Sequence, residues 1–259
     1  MVNLKKYNAL TRYFVLILTV VGIWSCAEKK LYVNKVEGKQ IPVSEALSTT
    51  PNIEEYITPY RKHIDEDLNT ILAFAPENID KKGIWQTKIG NLQADITLAS
   101  ATKIFMLREK KSVDICLLNN GGIRSIINKG NVTTRTAFEL MPFENSLVVA
   151  SLKGEQILEM INYIIKEKKP HPLAGVTFTI DKNDVAKNIL VQNQALDLQK
   201  IYYVATNDYL YNGGDSMNFF KKSLKMFDLE YKLRNVWIDY FKSVDTIPVL
   251  NDSRIVKEQ

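Results

Sequence analysis

The chain is predicted to be an α+β protein, a single α-and-β domain behind an N-terminal leader. Apolar residues recur at helical spacing in some stretches and form short strand-like runs in others. The two kinds of stretch are interspersed without a regular βαβ rhythm, which argues against a doubly wound parallel sheet. About 230 residues follow the leader, near the upper end of the usual size of one domain.

The leader comes first. Residues 1–25 have a positive start (Lys5, Lys6, Arg12), an apolar stretch over 14–24 and a small Ser25 before Cys26. That is the layout of a bacterial secretory signal, and its apolar core is short for a membrane span of about 20 residues. Serine before cysteine at the end of the core also resembles a lipoprotein processing site, which makes Cys26 the expected lipidated N-terminus of the mature chain. A simple cleaved signal and an uncleaved anchor helix are the alternatives. The expectation is an exported protein of the bacterial cell envelope, lipid-anchored to a membrane through Cys26 on the periplasmic or surface face. Without residues 1–25 the formal charge falls from +5 to +2, because Lys5, Lys6 and Arg12 leave and no acid does. The remaining lysines are scattered among acids as an ordinary solvated surface, so no nucleic-acid partner is implied. Cys116 lies in an apolar run, and with Cys26 lipidated it has no disulfide partner; it reads as a buried, inert thiol.

Residues 26–50 read as a polar tether with a short strand at 31–36, and the domain proper as 51–259. Asn52 is expected to cap a helix with Glu55 three residues on, and Ile53, Tyr56, Ile57, Tyr60, Ile64, Leu68 and Ile71 give it an apolar stripe. Pro59 must kink that helix or sit where a lost hydrogen bond is tolerated. His63 lies off the stripe and reads as solvated. Gly90-Asn91-Leu92 opens a second helix carrying Leu92, Ile96 and Ala99. A strand over 113–118 follows, then a polar turn, Val132-Thr133, a short helix near 137–139 and Pro142-Phe143. Residues 147–152 read as a strand. Gly154-Glu155 starts a helix whose Ile157, Leu158, Ile161 and Ile165 face a core. Strands are predicted over 176–180, 189–191 and 202–206. Leu229, Leu233, Val236, Trp237, Tyr240 and Phe241 mark a late amphipathic helix, and Arg254-Ile255-Val256 a closing strand.

The stretch Asn119-Asn120-Gly121-Gly122-Ile123-Arg124 is the candidate ligand turn. Adjacent glycines let a backbone approach a bound molecule with no Cβ in the way, while Asn119 brings an amide that donates and accepts and Arg124 a planar cation. Taken alone, such a turn between two strands is usually only a turn. Residues 205–215 repeat its grammar, with a strand, polar groups, Tyr209, the pair Gly213-Gly214 and Asp215. The ordered series NNGGIRS, MPFENSLVVASLKGEQI and YYVATNDYLYNGGDS resembles the C-terminal, substrate-binding domain of the 5'-nucleotidases and UDP-sugar hydrolases, from about residue 87 to 255. The resemblance implies mixed sheets layered with helices, in a four-layer α/β/β/α arrangement.

It also implies a site. A nucleobase would lie between the rings of Phe143 and Tyr209, which would otherwise be read as two core aromatics, and stacking on an aromatic ring contributes about 1–3 kcal/mol. Asn119 would face the base, Arg124 the polar groups of the ligand and Asp215 the ribose hydroxyls, since one carboxylate can accept from both members of a vicinal diol. Gly121, Gly122, Gly213 and Gly214 would shape the two turns, and Gly175 would line the same cleft. Two departures bear on ligand preference. Relatives carry a further arginine a few residues before the GNL helix, where this chain has Gly83-Ile84-Trp85-Gln86, and Tyr209 replaces a more usual phenylalanine. Phosphate contacts should weaken and the base clamp survive.

The catalytic half is another matter. Relatives carry upstream a metallophosphatase domain with DxH, GNH and GHxH motifs that hold two metal ions, the clamp that phosphoester hydrolysis needs. This sequence has two histidines, His63 and His171, neither in such a context. His171, in Lys169-Pro170-His171-Pro172, reads as an exposed loop residue. No Ser-His-Asp set or Walker-type loop appears. The expected function is therefore the nucleoside- or nucleotide-binding half of a split nucleotidase, with no catalytic residue and no metal of its own and with divalent ions on a separate metallophosphatase chain. A stand-alone surface nucleoside-binding lipoprotein without a catalytic partner is the alternative.

Overall fold

The computed structural model of the chain describes residues 4–23, 31–44, 50–249 and 251–258, so the lipidation site expected at Cys26 lies outside the described residues. The chain divides into two units, residues 1–51 and 52–259. The first holds helix α1 (Leu4–Ile23), followed by residues 31–44, which are exposed and irregular. The strand expected at 31–36 does not form, for a strand with no partner leaves its N–H and C=O groups to water. Among the described residues no helix is long and apolar enough to cross a membrane.

Helix α2 (Pro51–Leu68) starts one residue ahead of the expected cap, so Asn52 falls inside its first turn. Proline suits a first helical position, where its missing N–H costs nothing. Pro59 lies inside the helix, and none of its residues is buried; the apolar stripe is real but faces outward. Ile71 belongs to strand β1 (Ile71–Ala75) and not to the stripe.

Helix α3 (Lys88–Glu109) opens at Thr87, whose side chain accepts the Gly90 N–H at 3.0 Å, and closes at Lys110 in a left-handed conformation. Its Leu92, Ile96 and Phe105 are buried, whereas Ala99 turns outward. The apolar run at 113–118 supplies strand β2 (Ile115–Leu117), with Val113 and Leu118 buried at its ends. Strand β3 (Gly130–Thr133) pairs antiparallel with β1 and runs into helix α4 (Thr134–Leu140) through a Thr133–Thr136 capping box. Strand β4 (Ser146–Lys153) feeds helix α5 (Gly154–Glu167), which buries Ile157, Met160, Ile161, Ile164 and Ile165 and leaves Leu158 half-buried.

Then come β5 (Leu173–Ala174), β6 (Val176–Ile180), β7 (Ala186–Val191), β8 (Gln194–Ala195), β9 (Ile201–Asn207) and the short helix α6 (Asp208–Tyr211). Strand β10 (Lys225–Lys232) precedes helix α7 (Leu233–Ser243), and β11 (Ile255–Lys257) closes the chain. Leu229 therefore lies in a strand and not in the late helix where its spacing puts it. Residues 225–228 pair with 148–151 of β4, and that ladder outweighs a helical spacing.

The fold is α+β with mixed sheets, as expected. One sheet has the order β10-β4-β9-β2-β5, antiparallel except between β2 and β9, and a second has the order β11-β6-β7-β8, parallel only between β11 and β6. On one face of the five-stranded sheet, Cys116, Val149 and Ala205 share a core with Phe105 of α3 and Trp237 and Phe241 of α7. On the other, Leu117, Leu152 and Val204 share a core with the buried face of α5 and with Phe178 and Val191 of the smaller sheet. Truncating a buried aromatic of this size to alanine costs about 3–5 kcal/mol. Arg254 fastens the C-terminal strand to α3 through Asp95 at 2.6 Å.

Candidate functional site

Strand order brings three distant segments to one edge. β2 and β9 lie parallel and adjacent, with Cys116 opposite Ala205, so both deliver their following loops at the same end of the sheet. β4 runs antiparallel to β9 with Leu147 opposite Asn207, so the loop that precedes β4 arrives there too. Residues 119–124, 141–145 and 207–215 meet around a cleft of about 610 Å³, lined by Asn119, Gly121, Gly122, Arg124, Phe143, Glu144, Asn145, Tyr209 and Asp215.

The two rings are not core aromatics. Phe143 is 43 % exposed and Tyr209 48 %, and both line this one cleft. Arg124 is exposed beside Phe143, its guanidinium 5.8 Å from the ring centroid. The Asp215 carboxylate accepts from the Asn119 amide at 2.7 Å and from the Tyr209 hydroxyl at 2.9 Å. The Asp215 N–H in turn donates to that hydroxyl at 3.2 Å. Each carboxylate oxygen thus has one donor from the protein and keeps lone-pair capacity for another.

The glycines divide. Gly122 lies under the Asn119 side chain, where an added Cβ would stand 2.9 Å from its Oδ1. Gly214 lies under the Tyr209 ring, and a Cβ there would come within 2.4 Å of it. Gly213 has φ +93° and packs against Lys221. Gly214 thus backs the Tyr209 wall, and neither of these last two lines the cleft. Gly175 does not belong to the site at all. It turns the chain from β5 into β6 at φ +78°, against the Asp114 carbonyl and the Gln192 side chain, and its job is that tight crossing.

Four contributors were missed in the sequence. Glu144 and Asn145 line the cleft next to Phe143, and Asn145 donates to Asp208 at 3.0 Å. Arg234 of α7, nearly buried, donates to the carbonyls of Met141 at 2.8 Å, Pro142 at 2.9 Å and Phe143 at 3.1 Å and to Glu144 at 2.7 Å. It staples the Phe143 loop, and its one signal is a charge set between the buried Leu233 and Val236. Lys81 donates to the Ile123 carbonyl at 2.7 Å beneath the 119–124 turn, and burial, with help from the Arg124 charge, lowers its pKa.

His171 corrects an expectation. It is 4 % exposed, not a solvated loop residue, because Pro172 is tied back to β2 through Leu118 N–H and the ring tucks against Tyr163. Its Nδ1 accepts the Asn120 N–H at 3.3 Å, and burial pushes its pKa down to about 4. His63 is exposed on α2 beside Asp67 at 3.6 Å. Cys116 is fully buried, and burial raises its thiol pKa, which suits an inert group. Among the described residues no group of three or more His, Cys, Asp or Glu stands close enough to hold a metal ion.

The sequence model of the 5'-nucleotidase C-terminal domain family matches residues 69–222. The chain is 24 % identical over 222 residues to the trifunctional nucleotide phosphoesterase protein YfkN of Bacillus subtilis, covering 79 % of this chain and 15 % of that one. It is 27 % identical over 202 residues to the cell wall protein Lmo0130 of Listeria monocytogenes, covering 68 % and 25 %. Among solved structures, the 5'-nucleotidase precursor from Thermus thermophilus superposes with a TM-score of 0.67 at 23 % identity, over 79 % of this chain and 42 % of that one. The chain spans less than half the length of each of these proteins. Since 69–222 is more than half of its 259 residues, the chain belongs to the 5'-nucleotidase C-terminal domain family.

Proposed function

We propose that this chain is the nucleoside- or nucleotide-binding half of a split 5'-nucleotidase, exported as a lipoprotein through Cys26 and turning substrate over only with a separate metallophosphatase chain. The observation that carries the reading is the pair of half-exposed rings, Phe143 and Tyr209, on one cleft with Arg124 and Asp215 at its margins. A flat base fits between rings and a diol meets a carboxylate, whereas a cation at the rim suits phosphate.

The mismatch between the cleft and the chemistry supports a partner. Two-metal hydrolysis needs a cluster of carboxylates and histidines, and the two histidines of this sequence are an exposed one on α2 and a buried one behind the cleft. Support for export comes from the leader and from a cell-wall relative.

Calorimetry with adenosine, AMP and a UDP-sugar tests the binding half. Phe143→Ala and Tyr209→Ala should each weaken binding about tenfold, and a wild-type protein that binds none of the three sinks the reading. Adding a metallophosphatase that co-purifies with the chain should then give nucleotide hydrolysis; turnover by the chain alone, in chelator-treated and contaminant-free protein, contradicts the split. Binding with no co-purifying phosphatase leaves a stand-alone surface binding protein.

A further inference from the structure

Behind the cleft, a polar and aromatic chain joins the two ligand turns through residues that do not line it. Asn120, in the first turn, donates its N–H to His171 Nδ1 at 3.3 Å. The His171 ring packs against Tyr163 of α5, with centroids 5.7 Å apart and planes at 41°. The Tyr163 hydroxyl donates at 2.7 Å to the backbone carbonyl of Asp215, in the second turn. The Asn119 amide closes the circuit from the front by donating to the Asp215 carboxylate at 2.7 Å.

Each member suits a fixed support. His171 is almost wholly buried, its Nδ1 accepts the Asn120 N–H, and its Nε2 has no hydrogen-bond partner among the described residues. A buried polar group left unsatisfied is costly, so a ring kept there has to be held by what its other nitrogen does. Tyr163 is braced on its other side by Phe219, edge to face at 5.7 Å, and its hydroxyl, with its pKa pushed up to about 12 by burial and then by Glu167 and Asp215, stays a donor. Asp215 stands in the left-handed region at φ 50°, which aspartate tolerates better than most residues with a side chain, and the bond from Tyr163 to its carbonyl fixes the backbone there.

We propose that Tyr163 and His171 are positioning residues for ligand binding, a strut that sets Asp215 and the 119–124 turn at the separation a nucleoside requires. The proposal rests on the nucleoside reading of the cleft. The strut acts on the sugar end of the ligand, because its terminus is Asp215, the acceptor for a vicinal diol.

The test compares wild type, Tyr163→Phe, His171→Leu and His171→Asn by calorimetry, with whichever of adenosine, guanosine, uridine and their 5'-monophosphates binds wild type and with the 2',3'-dideoxy form of that ligand. Tyr163→Phe removes one oxygen from a partly exposed side chain and leaves the core alone. It should weaken the ribose ligand about three- to tenfold and leave the dideoxy ligand as in wild type. His171→Leu should lose a similar factor, whereas His171→Asn, whose amide oxygen can replace Nδ1 as acceptor, should bind within about twofold of wild type. Tyr163→Phe that binds the ribose ligand as well as wild type, or loses both ligands equally, overturns the strut. A wild-type protein that binds no nucleoside or nucleotide overturns the reading of the cleft, and the strut falls with it.

Discussion

At the scale of single residues, the Tyr209 wall shows how little freedom the cleft has. The ring is held at its tip by the hydroxyl's bond to Asp215 at 2.9 Å and lies over Gly214 along its edge. Gly214→Ala would put a methyl within 2.4 Å of that ring, so the ring must swing and lose either its plane or its bond. Nucleoside affinity should fall about three- to tenfold while the melting temperature changes little, which calorimetry and thermal unfolding read separately. Arg234 governs the opposite wall. Its guanidinium bonds the carbonyls of Met141, Pro142 and Phe143, so Arg234→Leu strands the buried Met141 carbonyl and frees the other two from the loop's staple. A loss of about 3 kcal/mol or more in denaturant unfolding is expected, along with weaker binding through Phe143.

At the scale of elements, α3 and α2 are held for different reasons. α3 packs a whole face into the core and is started by Thr87, so Thr87→Ala should cost about 1 kcal/mol of stability without touching the cleft. Chemical denaturation measures the first part and nucleoside calorimetry the second. α2 has an amphipathic pattern with nothing buried beneath it, and its visible ties are at its C-terminal end, where Arg135 reaches Asp65 at 2.9 Å and Asn69 at 3.3 Å. Helical spacing announces a face but says nothing about what covers it. The same limit explains Leu229, whose spacing matches the helix that follows while strand β10, paired to β4 just before it, claims it.

At the scale of the whole molecule, stability should depend on acid through His171. An unfolded chain takes up the His171 proton near pH 6.5, whereas the folded chain resists it until about pH 4, so the unfolded state binds more protons between these values. Lowering the pH through that window should therefore destabilise the fold, by about 3 kcal/mol once it is crossed. Wild type and His171→Asn compared by thermal unfolding between pH 7 and pH 4 check this, since the variant lacks this part of the loss.

The apolar runs and spacings were enough to announce β2, β4, α5, β6, β9 and α7, because each buries a face whose period is written locally. The residues now at the cleft, Asn119, Arg124, Phe143, Tyr209 and Asp215, were named from the order of three motifs and not from their surroundings. What the sequence determined by itself was the α+β class, the family and the names of the polar and aromatic residues that come to line one cleft. Only tertiary structure decided that β2 and β9 lie parallel side by side, that Gly175 serves a crossing away from the cleft, and that His171, Tyr163 and Arg234 stand behind its walls. Burial and partnership depend on which strands become neighbours, and strand neighbours are chosen by packing over the whole chain and not by any window of it.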